Sequence, residues 1–474
     1  MNVNVVRIEN IEIQNFKNVK YGSLKLDNPR KNYKANILGL YGQNGSGKTA
    51  LIDALSLLKY LLMGQPVPSK FAECINVDSD KAIFTFMFKI ICNNDFNQDE
   101  YQVKYKFSIR KDNDENVPNV EQKNLGQNIK YKVTVFDEIL STSIKNKKLN
   151  IKLASIIDTN SEKPFKPISK YKEIIGNNKN IETNLLVSKK IAEKTSRSFI
   201  FSKELLTIIR NNCSQSHYLN IFESLVNYGN FKLFIIDTTN SGLISINAGL
   251  PFYFTCEEKG HKSVGTIILQ LNGVSFIPKQ ALEVVHKLVV SMNIVLKEMV
   301  PGLTIDIKEL TSQIQENDIE TCSIQLLSLK NKKIIPLQYE SEGIKKIISI
   351  LNLLINIYNN SSITVAIDEL DAGIFEYLLG ELLRIIAEKG KGQLIFTSHN
   401  LRPLETLDRG FIAFTTTNPS NRYIRLANVK TNNNLRDFYY RDIIIGEQKE
   451  PVYEPTNNSD IALAFKEAGV LLGT

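Results

Sequence analysis

Residues 42–49 read Gly-Gln-Asn-Gly-Ser-Gly-Lys-Thr, and a segment of this composition leaves a chain few choices of fold. Gly42, Gly45 and Gly47 permit a tight turn that aims successive backbone N–H groups into one concavity, and a helix starting behind it adds the positive end of its dipole. Such a cradle suits phosphate. The whole loop, with Gln43, Asn44 and Ser46 between the glycines, is the expected nucleotide-binding segment. Lys48 would reach the outer phosphates and Thr49 would offer its hydroxyl to Mg2+. The motif needs a strand before it and a helix after it. Residues 35–41 form a short apolar run suited to a buried strand, and Leu51, Ile52, Ala54, Leu55, Leu58, Leu61 and Leu62 recur at helical spacing. An α/β core that binds a nucleoside triphosphate is therefore predicted.

The rest of the chain is large enough to build on such a core. At 474 residues it exceeds one small domain, and two or three are expected. Hydrophobic residues at 43% and charged residues at 23% indicate a folded rather than a disordered chain. A net charge of +8 permits an acidic partner without announcing one. Cys74, Cys92, Cys213, Cys256 and Cys322 show no CxxC or metal-type spacing, which fits a reduced, cytoplasmic setting. The chain starts with strand-like alternation at Val3, Val5, Ile8 and Ile11, not with a signal peptide, and no run of about 18 apolar residues predicts a membrane span.

Strand alternation at 83–90, 101–109 and 131–136 predicts an antiparallel sheet beside the nucleotide core. From 141 to 330 the signal is mixed, with helical patches at 199–228 and 279–299 and short strands between, and reads as an inserted arm or lobe. Residues 121–190 hold fourteen Lys against seven Asp plus Glu and no Arg, a solvated surface or a contact for nucleic acid or another acidic partner. Beyond 446, Glu447, Glu450 and Glu454 precede a short helical pattern at 459–468, either a docking tail or a frayed end.

A second group of motifs begins roughly 290 residues after the first. Ser341 stands where the N-cap of an amphipathic helix should be, and with Gly343 and the exposed N–H groups it makes either another anion site or a plain capped helix. The β-branched run 363–367 ends in Asp368-Glu369, the form of a Walker B element: Asp368 would hold Mg2+ and Glu369 would polarise an attacking water. A third apolar strand, 393–397, ends in Ser398-His399-Asn400, where His399 can donate to a γ-phosphate or position that water.

The order of P-loop, serine-led helix, Asp-Glu and strand-end His resembles the ATP-binding-cassette superfamily, particularly its SMC-like and RecF-like branch. Residues 11–18, Ile-Glu-Ile-Gln-Asn-Phe-Lys-Asn, look like the opening I-x-x-F-K/R strand of that branch, and Leu-Asp-Ala-Gly at 370–373 occupies its D-loop position. Ser-Glu-Gly-x-Lys-Lys at 341–346, Thr-Ser-His-Asn at 397–400 and Leu-Arg-Asp-Phe-Tyr at 435–439 further resemble bacterial AAA-family ATPases related to abortive-infection and overcoming-lysogenization-defect proteins. Two departures stand out. Glu342 replaces the first glycine of the usual pair, and no clear Q-loop exists, Gln65 in a Gly-Gln-Pro turn being the nearest candidate.

The resemblance implies an α/β P-loop NTPase fold of ABC/SMC-head type. Residues 1–140 would be the N-terminal half of the ATPase head with an antiparallel β lobe, and 141–330 an inserted Lys-rich, largely helical lobe. Residues 331–446 would be the C-terminal half and 447–474 a tail. It implies ATP and Mg2+ as cofactors, with Lys48, Glu369 and His399 catalytic and Thr49 and Asp368 on the metal. Gly42, Gln43, Asn44, Gly45, Ser46, Gly47, Lys48, Thr49, Ser341 and Gly343 would bind the nucleotide. Ser341 would reach the γ-phosphate held by a second copy, in a head-to-tail homodimer or a higher oligomer that closes with ATP and opens after hydrolysis. The narrower resemblance implies a sensor or switch in anti-phage defence controlling a separate effector, a toxin or nuclease, because no Glu-Gly-Asp-x-Asp pattern of a fused Toprim nuclease follows residue 400. The alternative is a RecF-like DNA-binding ATPase of repair or maintenance.

Overall fold

The apolar runs at 36–41, 364–367 and 393–397 become strands buried on both sides, and their order fixes what stands near the phosphate loop. The computed structural model describes residues 4–28, 34–94, 97–113, 131–145, 150–176, 179–258, 261–314, 320–427, 434–446 and 448–472. Val3, Glu447 and part of the Lys-rich run lie outside the described residues.

The chain opens with β1 (Val5–Phe16), β2 (Val19–Lys25), β3 (Asn36–Tyr41) and α1 (Lys48–Leu62). The strands β4 (Lys81–Asn94), β5 (Asn97–Asn113), β6 (Tyr131–Lys145) and β7 (Asn150–Asp158) follow. Four helices come next, α2 (Ile168–Ile175), α3 (Lys179–Lys194), α4 (Lys203–Asn212) and α5 (Ser216–Phe231). The chain continues through β8 (Leu233–Ile236), α6 (Thr238–Ser245), β9 (Gly249–Glu258), β10 (His261–Gln270), β11 (Ser275–Pro278), α7 (Lys279–Met299), β12 (Leu303–Ile314), β13 (Glu320–Lys330) and β14 (Lys333–Pro336). The last part holds α8 (Glu342–Asn359), β15 (Thr364–Ile367), α9 (Glu376–Lys389), β16 (Gln393–Thr397), α10 (Pro403–Thr406), β17 (Ile412–Thr415), β18 (Tyr423–Ile424), α11 (Leu435–Ile445) and α12 (Asn458–Leu471).

The nucleotide sheet has the order β18-β17-β3-β16-β15-β8. All neighbours are parallel except β18, which turns back on β17. Every residue of β3, β15 and β16 is buried, as strands covered on both faces require. Because β16 lies between β3 and β15, the carboxyl ends of all three open on one edge. That edge carries the phosphate loop, Asp368 and His399.

The second sheet, β2-β1-β4-β5-β6-β7, is antiparallel throughout, and extends the three strands expected from alternation. Phe84, Phe86 and Phe88 point to one face of β4 and are fully buried; Phe84 and Phe86 stack on Phe107 of β5. That face shares one core with α1 and with α2–α5. Inside it, the Glu138 carboxylate accepts from Tyr105 Oη at 2.6 Å, from Ser198 and from the N–H groups of Phe199 and Ile200. Burial outweighs these donors and pushes its carboxyl up.

Residues 141–330 do not stand apart as one helical block. The end of β6 and β7 complete the antiparallel sheet, α2–α5 join its core, and β8 is the outer strand of the nucleotide sheet. Only β9–β14 with α7 make an additional layer, and it is mainly strands: the hairpin β9-β10 and the sheet β11-β13-β12 with β14, sharing a core with α8. The fold is an α/β P-loop core with an antiparallel β lobe, the class expected for an ABC/SMC-type head. Among the described residues no helix is long and apolar enough to cross a membrane, and Cys74, Cys92, Cys213 and Cys322 are not in disulfides.

Candidate functional site

The phosphate loop is shaped by segments far from it in sequence. Gly42 has no room for a side chain, since a Cβ there would fall 1.7 Å from Thr415 Oγ1 of β17. Gly47 takes φ 95° and leads directly into α1. Tyr423 Oη donates to the Gly47 carbonyl at 2.9 Å, Asn18 donates to that of Gly45, and Arg422 holds the Asn18 carbonyl at 2.6 Å. Ser46 Oγ donates to the Gln43 carbonyl and meets Thr415 Oγ1. Ser46 is thus a buried brace of the loop. Gln43 faces away from the phosphate cradle: its amide exchanges hydrogen bonds with the Glu454 backbone, at 3.0 Å to the N–H and 3.4 Å to the carbonyl.

Lys48, Thr49, Asp368, Glu369, Thr397 and His399 line one cleft of about 330 Å3, with Asn44 and Gly45 from the loop and Lys17 and Asn18 at its edge. Lys48 Nζ donates to the carbonyls of Gly42 at 2.8 Å and Gln43 at 3.0 Å. Burial lowers its pKa, and the nearby carboxylates of Asp368, Glu369 and Asp371 oppose that shift.

Asp368 is 1% exposed, and its Oδ1 accepts from Thr397 Oγ1 at 2.5 Å. Its Oδ2, equally buried, has no hydrogen-bond partner among the described residues. A carboxylate oxygen buried without a donor costs on the order of several kcal/mol unless a cation meets it. One carboxylate oxygen and the Thr49 hydroxyl in the same cleft fit Mg2+, which favours few protein ligands completed by phosphate oxygens and water.

Thr397 does a second job that sequence reading missed: the same Oγ1 accepts the Glu369 N–H at 2.8 Å. Glu369 has φ 51°, a strained conformation for a residue with a Cβ, worth about 1–3 kcal/mol and often found at functional sites. That bond helps hold it while its side chain stays exposed in the cleft. The N–H groups of His399 and Asn400 both donate to Asp371 Oδ2, at 3.1 and 2.9 Å. Asp371 thereby locks the D-loop position to the histidine loop. The His399 pKa is lowered, first by burial and then by Lys48, so its imidazole is neutral at pH 7 despite the opposing carboxylates.

Of the expected nucleotide-binding residues, Gly42, Gln43 and Ser46 belong to the loop without lining the cleft, and Ser341 and Gly343 lie away from it. Ser341 is the exposed N-cap of α8, its Oγ accepting the Ile344 N–H at 3.3 Å. At Gly343 a Cβ would sit 2.0 Å from the Gly373 carbonyl, so this glycine allows α8 and the D-loop to touch. Neither residue lines the cleft of its own chain. Gln65 sits in the turn closing α1, its N–H bonded to the Tyr60 carbonyl at 2.9 Å, and does not line the cleft either. Lys346, buried in α8, stands in the field of Asp368, Glu369 and Asp371, and burial lowers its pKa. Thr415, Arg422 and Tyr423 had no sequence signal beyond an apolar strand before them.

A family model described as an AAA domain matches residues 10–230, somewhat under half of the chain. No curated protein matches it. Among solved structures, the chain is similar to an SMC head bound to the C-terminal winged-helix domain of ScpA, at 11% identity over 88% of this chain and 97% of that one, with a TM-score of 0.38. Others are the SMC head domain from Thermotoga maritima (11%, 89% and 99%, TM-score 0.35) and the recombination mediator RecF with ATP (14%, 84% and 94%, TM-score 0.30). With scores this low, the fold assignment stands on the sheet order and the phosphate-loop geometry themselves.

Proposed function

We propose that this chain binds and hydrolyses ATP with Mg2+ at a site that a second copy completes. The supporting observation is a division of labour. Lys48, Thr49, Asp368, Glu369 and His399 converge from three strand ends on one cleft, while Ser341 stands exposed outside it. Lys48 would exchange the Gly42 and Gln43 carbonyls for the outer phosphates, and Asp368 and Thr49 would hold Mg2+, which would supply charge neutralisation there. Glu369 accepts hydrogen bonding from the attacking water, and neutral His399 donates to the γ-phosphate or positions that water. The capped N-terminus of the partner's α8 supplies the remaining anion donors. Lys48→Ala is expected to abolish ATP binding. Glu369→Gln should retain binding, lose turnover and shift to dimer mass only when ATP is added. A Glu369→Gln protein of unchanged mass with ATP bound contradicts the composite site.

We further infer that the ATPase is a cytoplasmic switch in anti-phage defence acting through a separate effector. The motif resemblance at 341–346, 397–400 and 435–439 supports this. Expression with its neighbouring genes should reduce phage plating, and full protection by both the Lys48→Ala and Glu369→Gln variants contradicts it. The second reading, an ATPase acting on DNA, is favoured by the net charge of +8 and the Lys-rich run at 121–190. It requires DNA to stimulate turnover with a steep loss in added salt.

A further inference from the structure

The C-terminal helix and the surface around Ser341 both leave apolar or aromatic side chains exposed. In α12, Asn457 caps the start by accepting the Ser459 N–H at 3.0 Å, yet no residue of the helix is buried. Ile461, Phe465 and Leu472 are 43%, 77% and 81% exposed, and with Ala468 they fall on one stripe at helical spacing. A fourteen-residue helix is marginal alone in water, and a continuous exposed apolar stripe marks an interaction surface.

Its point of departure says what covers it. The segment before α12 is strapped to the nucleotide core: Thr417 donates to the Pro451 carbonyl at 2.8 Å, Val452 is buried, and the Glu450 carboxylate accepts from Asn418 and Asn421. Its last anchor is the double hydrogen bond between Glu454 and Gln43 of the phosphate loop. From Glu454 to the cap at Asn457 the chain can span at most about 11 Å. The helix therefore starts at the rim of the phosphate loop.

Three exposed aromatics flank the Ser341 end of α8 and the segment that touches it. Tyr339 and Phe375 are each 70% exposed and Tyr377 57%. Tyr339 is two residues before Ser341, and Phe375 two after Gly373, whose carbonyl lies against Gly343. We propose that α12 is an arm that lays its apolar stripe on the aromatic patch beside Ser341 of a second copy when ATP joins the two. This rests on the composite-site reading, in which the phosphate loop of one chain faces Ser341 of the other, and two-fold symmetry then makes the contact twice.

The test uses the full-length Glu369→Gln protein with ATP and Mg2+. Adding Phe465→Ser, or separately Phe375→Ser, is expected to weaken the ATP-dependent dimer at least tenfold while leaving ATP binding by the monomer unchanged. Both side chains are exposed, so folding should be unaffected. A photo-crosslinking amino acid at position 465 should label the second chain near residues 339, 375 or 377, and only with ATP. The proposal is overturned if the dimer is equally tight without Phe465, or if the crosslink maps to the same chain or to another protein. A Glu369→Gln parent that binds ATP and stays monomeric overturns the composite site as well, which distinguishes the two failures.

Discussion

Thr397 shows how much of this site rests on one small side chain. Its hydroxyl donates to Asp368 and accepts from the Glu369 N–H, so the metal-side carboxylate and the strained residue beside it share one brace. Thr397→Val keeps the shape and removes both bonds, leaving the buried Asp368 oxygen without its donor at about 1–3 kcal/mol. Steady-state ATP hydrolysis should fall at least about tenfold with ATP binding largely kept; an unchanged rate contradicts the role. His399 gives a pH test. Its charged form is disfavoured in the free protein, so activity requiring the neutral imidazole persists as pH falls past the ordinary value of 6.5 and is lost only below it. The acid limb of kcat/KM should lie below 6.5 and vanish in His399→Asn, whereas a limb above 6.5 contradicts this assignment. That Lys48, Asp368, Glu369 and His399 would meet was legible, because their motifs sit at the ends of apolar runs that read as strands, and the structure brings them into one cleft. Thr397 was legible as a strand end and as the first residue of the Thr-Ser-His-Asn motif, but not as a brace, since its two partners meet it through sheet order, not sequence spacing.

Gly343 marks the boundary between motif and packing at the scale of elements. Read from sequence it belonged to either an anion site or a plain capped helix; the fold adds that it lets the first turn of α8 rest on the Gly373 carbonyl. Gly343→Ala pushes a methyl into backbone, and overpacking of this kind costs about 1–3 kcal/mol. A lower urea midpoint is expected, together with a weaker ATP-dependent dimer, because α8 and the D-loop shift together; a variant of parental stability contradicts the close approach. The long antiparallel strands were readable from their alternation. Leu233–Ile236 was not: four apolar residues after a helical patch give no period, and only pairing with β15 makes them a strand. The strands at 249–336 were read only as short strands between helical patches, although β9, β10, β12 and β13 run ten to twelve residues; α7 interrupts them and their pairing depends on partners distant in sequence.

Across the whole molecule, half of the proposed chemistry faces inward and half faces outward. The cleft holds the phosphate loop, Asp368, Glu369 and His399, while Ser341 lies on the exposed cap of α8. The family resemblance implied that arrangement, with Ser341 serving the cleft of a second copy, and the proposal rests on it. The strap from 448 to 454 and the arm beyond it were visible only as an acidic tail with a helical pattern, because their anchoring depends on Gln43 and the β17–β18 turn. The most direct measurement mixes two inactive variants. Lys48→Ala lacks a working phosphate loop but keeps Ser341; Ser341→Arg has the reverse defect. Each alone should be inactive, and an equal mixture should regain up to about a quarter of the parental ATPase rate, since half of randomly assorted dimers are mixed and each contains one intact site. No recovery on mixing, or full activity of Ser341→Arg alone, would contradict a site shared between two chains.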